Sequence, residues 1–304
     1  MKTTPKIYGV LPVLQMPYRA DDAIDYDVLA QEIDHVIKAG SDGVVLALAS
    51  ELIRLTHEER LELTVKIPGM VAGRVTVTIS CGAETVKSAV GYAQAAERAG
   101  ADAVMAIPPA AARFPEQAIF EYYRAIHDAV YIPLVIQDAS GYLGQPLSVN
   151  FLARLRNELS PRVYFKPEAQ PIGQTISRLQ AALKKDGVIF DGTGGLQLID
   201  SYRRGVSGTM PGSDLVEGII EIWRALAQDD DKRAYDVYFP LAAIVILQTS
   251  SLEAFLTIEK YILMKQGIFR NTLVRKPSGF DLDSETAAEV DRLYALYEKA
   301  LKKR

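Results

Sequence analysis

The chain holds 304 residues, 49% of them apolar, and its 34 Lys and Arg nearly balance 38 Asp and Glu for a net charge of -4. That is ample material for a large core, and the even spread of charge excludes the basic face of a nucleic-acid binder and a polybasic membrane anchor. One cysteine, Cys81, excludes an intramolecular disulfide and suits a reducing cytoplasm, while the opening residues lack a signal-peptide core and the longest apolar run, Leu241 to Leu247, is too short for a bilayer span.

In chain order, short segments rich in β-branched residues alternate with longer segments of helical period. The chain opens with a strand over 9–13, a helix over 26–39, a strand over 43–48 and a helix over 56–71. Strands over 75–80, 103–107 and 133–137 follow, with helices over 84–99, 115–129 and 148–157. The strands 163–166, 188–191 and 208–210 then alternate with helices over 172–185, 196–204 and 214–228. Thr56 followed by Glu59 fits a capping box, and Pro115 can open its helix without wasting an amide donor.

The junctions repeat. Ala39-Gly40-Ser41-Asp42-Gly43-Val44-Val45 returns as Ala99-Gly100-Ala101-Asp102-Ala103-Val104-Met105, each glycine suited to the left-handed residue that ends a helix. Eight strands, each followed by a helix, read as a (β/α)8 TIM barrel over residues 1–228, with 229–304 adding C-terminal helices packed on it as one structural unit. A doubly wound open sheet would carry a glycine-rich phosphate loop after an early strand, and none is present.

The chemistry concentrates on one strand. In Val163-Tyr164-Phe165-Lys166, alternation puts Tyr164 and Lys166 on one face and the apolar pair on the other. If that pair packs against helices, Lys166 points into the barrel at the C-terminal strand end, where barrel enzymes keep their sites. A desolvated amine there would favour its neutral, nucleophilic form. The competing reading is a lysine that snorkels from a strand end to solvent. On the preceding strand the same alternation aims Gln137 beside Lys166, either to bind a substrate or to satisfy a neighbouring backbone group. His57 and His127 fall in helical stretches and are expected at the surface, and Cys81 is expected as a small buried thiol.

Tyr164-Phe165-Lys166-Pro167-Glu168-Ala169, Leu55-Thr56-His57-Glu58-Glu59-Arg60 and Gly40-Ser41-Asp42-Gly43 resemble the Schiff-base motif, the L-T-x-x-E-R run and the G-x-D-G turn of the dihydrodipicolinate synthase / N-acetylneuraminate lyase family of class I aldolases and dehydratases. The resemblance runs from about Ile7 to Gln228, and it implies Lys166 as the covalent residue. The family's G-T-T-G-E carboxylate turn is here Ala47-Leu48-Ala49-Ser50-Glu51, so the implied carboxylate contacts are backbone amides around Ala49 and the Ser50 hydroxyl. Gln137 stands where the family has its relay tyrosine, Tyr142 where the synthases have an arginine, and Pro109-Ala110-Ala111 where they have a tyrosine turn. Within the family, Val135 to Ala139, the Tyr164-Phe165-Lys166 run, Ser50-Glu51 and Asp191-Gly192 look like the 2-keto-3-deoxy sugar-acid dehydratases, in particular the 2-keto-3-deoxy-L-arabonate type. That branch's two acidic residues after Asp191-Gly192 are Gly194 and Gly195 here.

The resemblance implies a cytoplasmic lyase on a small 2-oxo acid, assembled as a homotetramer or homodimer. Lys166 acts as nucleophile, Gln137 as the orienting group, and Ala49, Ser50, Asp191 and Gly192 as substrate contacts, with no metal or organic cofactor. A retro-aldolase and a non-catalytic barrel that senses a small acid are the alternatives. One measurement follows directly. Condensation of pyruvate with aspartate semialdehyde needs a proton relay and a cationic clamp, and an amide at Gln137 and a phenol at Tyr142 supply neither. Losing the relay alone removes about 10²–10⁴ in rate. A coupled assay on purified protein should therefore detect no dihydrodipicolinate, and robust synthesis would overturn this assignment of the two positions.

Overall fold

The structure is a computed structural model that describes residues 6–142 and 144–303. Eight short strands alternate with helices along it. They are β1 (Gly9–Val10), β2 (Gly43–Leu46), β3 (Thr76–Ser80), β4 (Ala103–Ala106), β5 (Leu134–Asp138), β6 (Val163–Pro167), β7 (Phe190–Asp191) and β8 (Gly208–Thr209). The helices between and after them are α1 (Tyr26–Ala39), α2 (His57–Val71), α3 (Val86–Arg98), α4 (Glu116–Ala129), α5 (Val149–Glu158), α6 (Ile172–Ala182), α7 (Leu198–Arg203) and α8 (Val216–Ala227). Three more, α9 (Asp231–Gln248), α10 (Leu252–Lys265) and α11 (Ser284–Lys302), complete the chain. None of the described helices is long and apolar enough to cross a membrane.

Local chemistry sets the boundaries. The capping box at α2 forms in both directions: Glu59 donates its backbone N–H to the Thr56 hydroxyl at 3.2 Å and accepts the Thr56 N–H at 2.8 Å. Gly40 and Gly100 close their helices at φ 102° and 90°, a conformation that glycine adopts without steric cost. The aspartate of each repeated junction has one job in both copies. Asp42 accepts the Val10 amide and Asp102 accepts the Val77 amide, each at 2.9 Å, tying a new strand's start to the strand before it. Some elements are shorter than the sequence suggests. Pro115 stands just outside α4, as its N-cap. Helix α6 stops at Ala182, and Lys184 and Lys185 then turn left-handed. β2 stops at Leu46 because Leu48–Ser50 coils into a 3₁₀ turn, with the Ser50 hydroxyl accepting the Ala47 N–H at 3.1 Å.

The chain condenses into two compact units. The first takes residues 56–192 and 200–209 with the chain up to Tyr8. In it β3, β4, β5 and β6 run parallel in sequence order, and β7 pairs with β8. Every residue of β4, β5 and β6 is buried, the mark of parallel strands covered on both faces.

The second unit takes residues 9–55, 193–199 and 210–304, and holds β1, β2, α1 and α8 to α11. Val13 bridges in parallel to both Val45 and Gly212 there. At its centre the Glu32 carboxylate, fully buried on α1, accepts the Gln15 amide at 2.7 Å and the Ser213 hydroxyl at 2.5 Å. Burial pushes this carboxyl up to about 8, against the downward pull of the Ser213 and Gln15 hydrogen bonds and of Lys260. The sign of the consequence is fixed. The folded chain keeps a proton that an unfolded glutamate releases near pH ~4.3, so this stabilisation is whole below that value and is lost as pH rises toward 8. Thermal midpoints measured from about pH 5 to about pH 8 should fall less steeply for Glu32→Gln than for the unsubstituted chain. Identical slopes would mean that Glu32 titrates alike in both states.

Candidate active site

β5 and β6 lie in parallel register with Gln137 opposite Lys166 and Asp138 opposite Pro167. The alternation that aims Lys166 inward therefore aims Gln137 inward beside it. Lys166 does not snorkel. It is 4% exposed, and its Nζ lies 2.8 Å from Glu168 Oε1. Glu168 reaches it for a local reason: two residues on, it returns to the same face, and its own N–H donates to the Asp138 carbonyl at 3.0 Å. The chain thus follows β5 one step past Pro167 before it turns away.

Gln137 Nε2 donates to both Glu168 oxygens, at 3.1 and 3.3 Å. Burial raises the Glu168 carboxyl above the ordinary range; the charge and hydrogen bond of Lys166 and the bond from Gln137 draw it back, and Asp138 raises it further. The net direction is up. Gln137 Oε1 is buried without a hydrogen-bond partner, a costly state that a substrate hydroxyl would relieve.

The chain entering β7 flanks β6 on the side away from β5, with Phe165 bridging in parallel to Ile189. Asp191 is fully buried, and its two oxygens take the hydroxyls of Ser201 at 2.8 Å and Thr209 at 3.3 Å. Its carboxylate thus ties the end of β7 in place, and the approach to the amine falls to Gly192. A Cβ on Gly192 would lie 2.6 Å from Glu168 Oε1 and 2.9 Å from Lys166 Cε. Over the other side, Asp138 accepts the Ser140 and Leu147 amides at 3.0 and 2.9 Å, tethering the loop that bears Tyr142. Burial and then the charge of Glu168 raise the Tyr142 phenol.

Ala49 and Ser50 belong to the second unit. The Ser50 amide donates to the Ala47 carbonyl at 2.9 Å, and its hydroxyl oxygen accepts from Ala47. The Ser50 hydroxyl acts as acceptor in that bond, and its proton can still donate. Gly194 and Gly195 have φ of 66° and 103°, and a Cβ on Gly195 would meet Ile219 Cδ1 at 2.4 Å, so a side chain at Gly195 would be strained.

Glu168 carries no role in the sequence motif by itself, although it stands two residues after Lys166, the spacing that puts it on the same face. His127 corrects another expectation. It is buried, 2.7 Å from the Ser160 hydroxyl and 2.8 Å from Asp128. That serine also accepts the Arg162 amide at 3.1 Å, so the three close the turn that enters β6, at the strand end away from Lys166. Cys81 is fully buried, as expected, and burial pushes its thiol up to about 12.

The model of the dihydrodipicolinate synthetase family matches residues 6–294. The chain belongs to that family. Its members are class I Schiff-base lyases, and an L-2-keto-3-deoxyarabonate dehydratase of Azospirillum brasilense is 32% identical over 95% of this chain and 94% of its own length. A 4-hydroxy-tetrahydrodipicolinate synthase of Methanothermobacter thermautotrophicus is 30% identical over 60% of this chain and 64% of its own. Among solved structures, the dihydrodipicolinate synthase of Rhodopseudomonas palustris superposes with a TM-score of 0.87 at 24% identity, covering 97% of this chain and 99% of that one. YagE of E. coli, solved with pyruvate, superposes at 0.86 with 20% identity over 96% and 99%. The fold is the (β/α)8 barrel with additional C-terminal helices that the sequence suggests.

The Gly192 geometry is directly testable in this family member. Gly192→Ala puts a methyl against Lys166 Cε and Glu168, and a displacement of about 1 Å in a reacting group costs about 10²-fold in rate. Turnover should fall by that order with the thermal midpoint little changed. Gly91→Ala, in α3 with nothing within 4 Å of the added Cβ, should leave activity untouched. Equal activity of the two variants would show that Gly192 does not border the reacting amine.

Proposed function

We propose that this lyase dehydrates a 2-keto-3-deoxy sugar acid, a pentonate foremost, through a Schiff base on Lys166. The observation that carries the reading is the buried 2.8 Å contact between Lys166 Nζ and Glu168 Oε1, with Gln137 fixed on the same carboxylate. The A. brasilense relative's activity points the same way.

The steps follow from proton positions. Glu168 takes the ammonium proton of Lys166, and the freed amine attacks the C2 ketone. Glu168 returns that proton to the carbinolamine hydroxyl, water leaves, and a cationic imine remains. The imine draws electrons from C3, so the Glu168 carboxylate can remove a C3 proton. It then hands that proton to the departing C4 hydroxyl, which leaves as a second water. Hydrolysis of the imine restores Lys166, and a pentonate product tautomerises to a 2-oxo acid with a terminal aldehyde. Gln137 cannot move protons near neutral pH. Its unpartnered Oε1 instead accepts from a substrate hydroxyl and orients it. Ala49 and Ser50 hold the substrate carboxylate, a role that rests on their match to the family's carboxylate turn. Gly192 leaves room for the bound ketone, and Asp191 keeps Gly192 in place. The lysine is itself the electrophilic catalyst, so the steps require neither metal nor organic cofactor. Assembly as a homodimer or homotetramer in the cytoplasm belongs to the same reading.

Two measurements test it together. Borohydride reduction with pyruvate should give one adduct, on Lys166, which Lys166→Arg abolishes because a guanidinium stays charged. Over a panel of 2-keto-3-deoxy acids the product should be the semialdehyde, with kcat lower by about 10²–10⁴ in Glu168→Gln. Adducts confined to other lysines would end the Schiff-base reading. Pyruvate and an aldehyde as products would make the enzyme an aldolase.

A further inference from the structure

Behind the Ala49–Ser50 turn the second unit buries a polar network that the reaction does not use. Gln15 is its hub. Its Nε2 donates to the Ala49 carbonyl at 2.9 Å and to Glu259 Oε2 of α10 at 2.5 Å. The other Glu259 oxygen accepts the Ser213 amide at 2.6 Å, the Ser213 hydroxyl donates to Glu32, and Glu32 closes the ring on the Gln15 amide. The next residue of α10, Lys260, pairs with Glu51, whose second oxygen accepts the Arg275 amide at 3.0 Å. Lys260 also donates to the Leu273 carbonyl at 2.7 Å.

Two consecutive residues of one helix therefore hold two points of the same turn. Glu259 acts through Gln15 on the Ala49 carbonyl, and Lys260 acts on Glu51, which stands at φ 55° and needs holding there. Gln15, Glu51, Glu259 and Lys260 are all buried at 1% exposure or less. Well-packed apolar residues of similar volume would often be as stabilising as buried ions. Gln15 Oε1 is left without a hydrogen-bond partner, so what the amide contributes here is its Nε2, shared between the Ala49 carbonyl and Glu259. What the polar set provides is one fixed backbone conformation.

We infer that Gln15, Glu259 and Lys260 are positioning residues for the substrate carboxylate, bracing the Ala47–Glu51 turn from α10 so that the Ala49 amide and the Ser50 hydroxyl meet it. This rests on the reading of that turn as the carboxylate subsite. It assigns α10, which follows the eight βα units, a part in substrate affinity.

The test separates carboxylate recognition from general damage by trapping two carbonyl compounds on Lys166 of the full chain. Pyruvate has a carboxylate; hydroxyacetone has none. In Gln15→Leu, and more mildly in Gln15→Asn, the pyruvate concentration for half-maximal borohydride trapping should rise about 10- to 100-fold, as for loss of a hydrogen bond to a charged group. The trapping rate at saturation and the trapping of hydroxyacetone should change less than about twofold. Lys260→Met should show the same split. Equal losses with both carbonyls, or no change with either, would overturn the inference while leaving the unsubstituted chain's preference for pyruvate intact. An unsubstituted chain that traps the two carbonyls equally well would instead sink the carboxylate reading of the turn, and this inference with it.

Discussion

A lysine ammonium and a glutamate carboxylate 2.8 Å apart, both out of water, form the contact on which the rest of the site depends. Each ion alone would lose several kcal/mol of hydration on burial, and only close geometry with further hydrogen bonds offsets that loss. The surroundings of Lys166 and Glu168 follow from this constraint. Gln137 supplies the extra donors to the carboxylate, the Glu168 amide is pinned on Asp138, and Gly192 keeps the space beside the lysine free of side chains. Burial also raises the glutamate carboxyl above its ordinary range. The same contact secures the lysine.

This arrangement relocates the acid–base work. Where the family has a relay tyrosine this chain has Gln137, and an amide can orient but cannot exchange protons. In the proposed reaction Glu168, just past the neighbouring strand and in contact with the lysine, takes up the exchange. The Glu168 charge, after burial, raises the Tyr142 phenol, which puts that phenol at the border of the site.

The second unit shows the opposite use of buried charge. There the carboxylates of Glu32, Asp214 and Glu259 are all raised, chiefly by burial, and they bind backbone amides, hydroxyls and amide side chains rather than a reacting group. Nearby, Gly194 and Gly195 occupy left-handed backbone with no room for a Cβ on Gly195.

Periodicity in the sequence determined much of this. Strand alternation put Lys166 and Gln137 on inward faces, the repeated junctions marked helix ends that the structure closes with Gly40 and Gly100, and the Thr56–Glu59 box marked the start of α2. These features depend on residues within one turn or one strand, so the local order of side chains decides them. Tertiary structure alone decided which groups meet. The Glu168–Lys166 contact needs the chain to follow β5 past Pro167, and the bond from Gln15 to Glu259 spans 244 positions. His127, on a helix that reads as half solvent-facing, is buried only because the turn before β6 folds over it. A proton partner is defined by distance and desolvation, and neither exists until distant segments pack together.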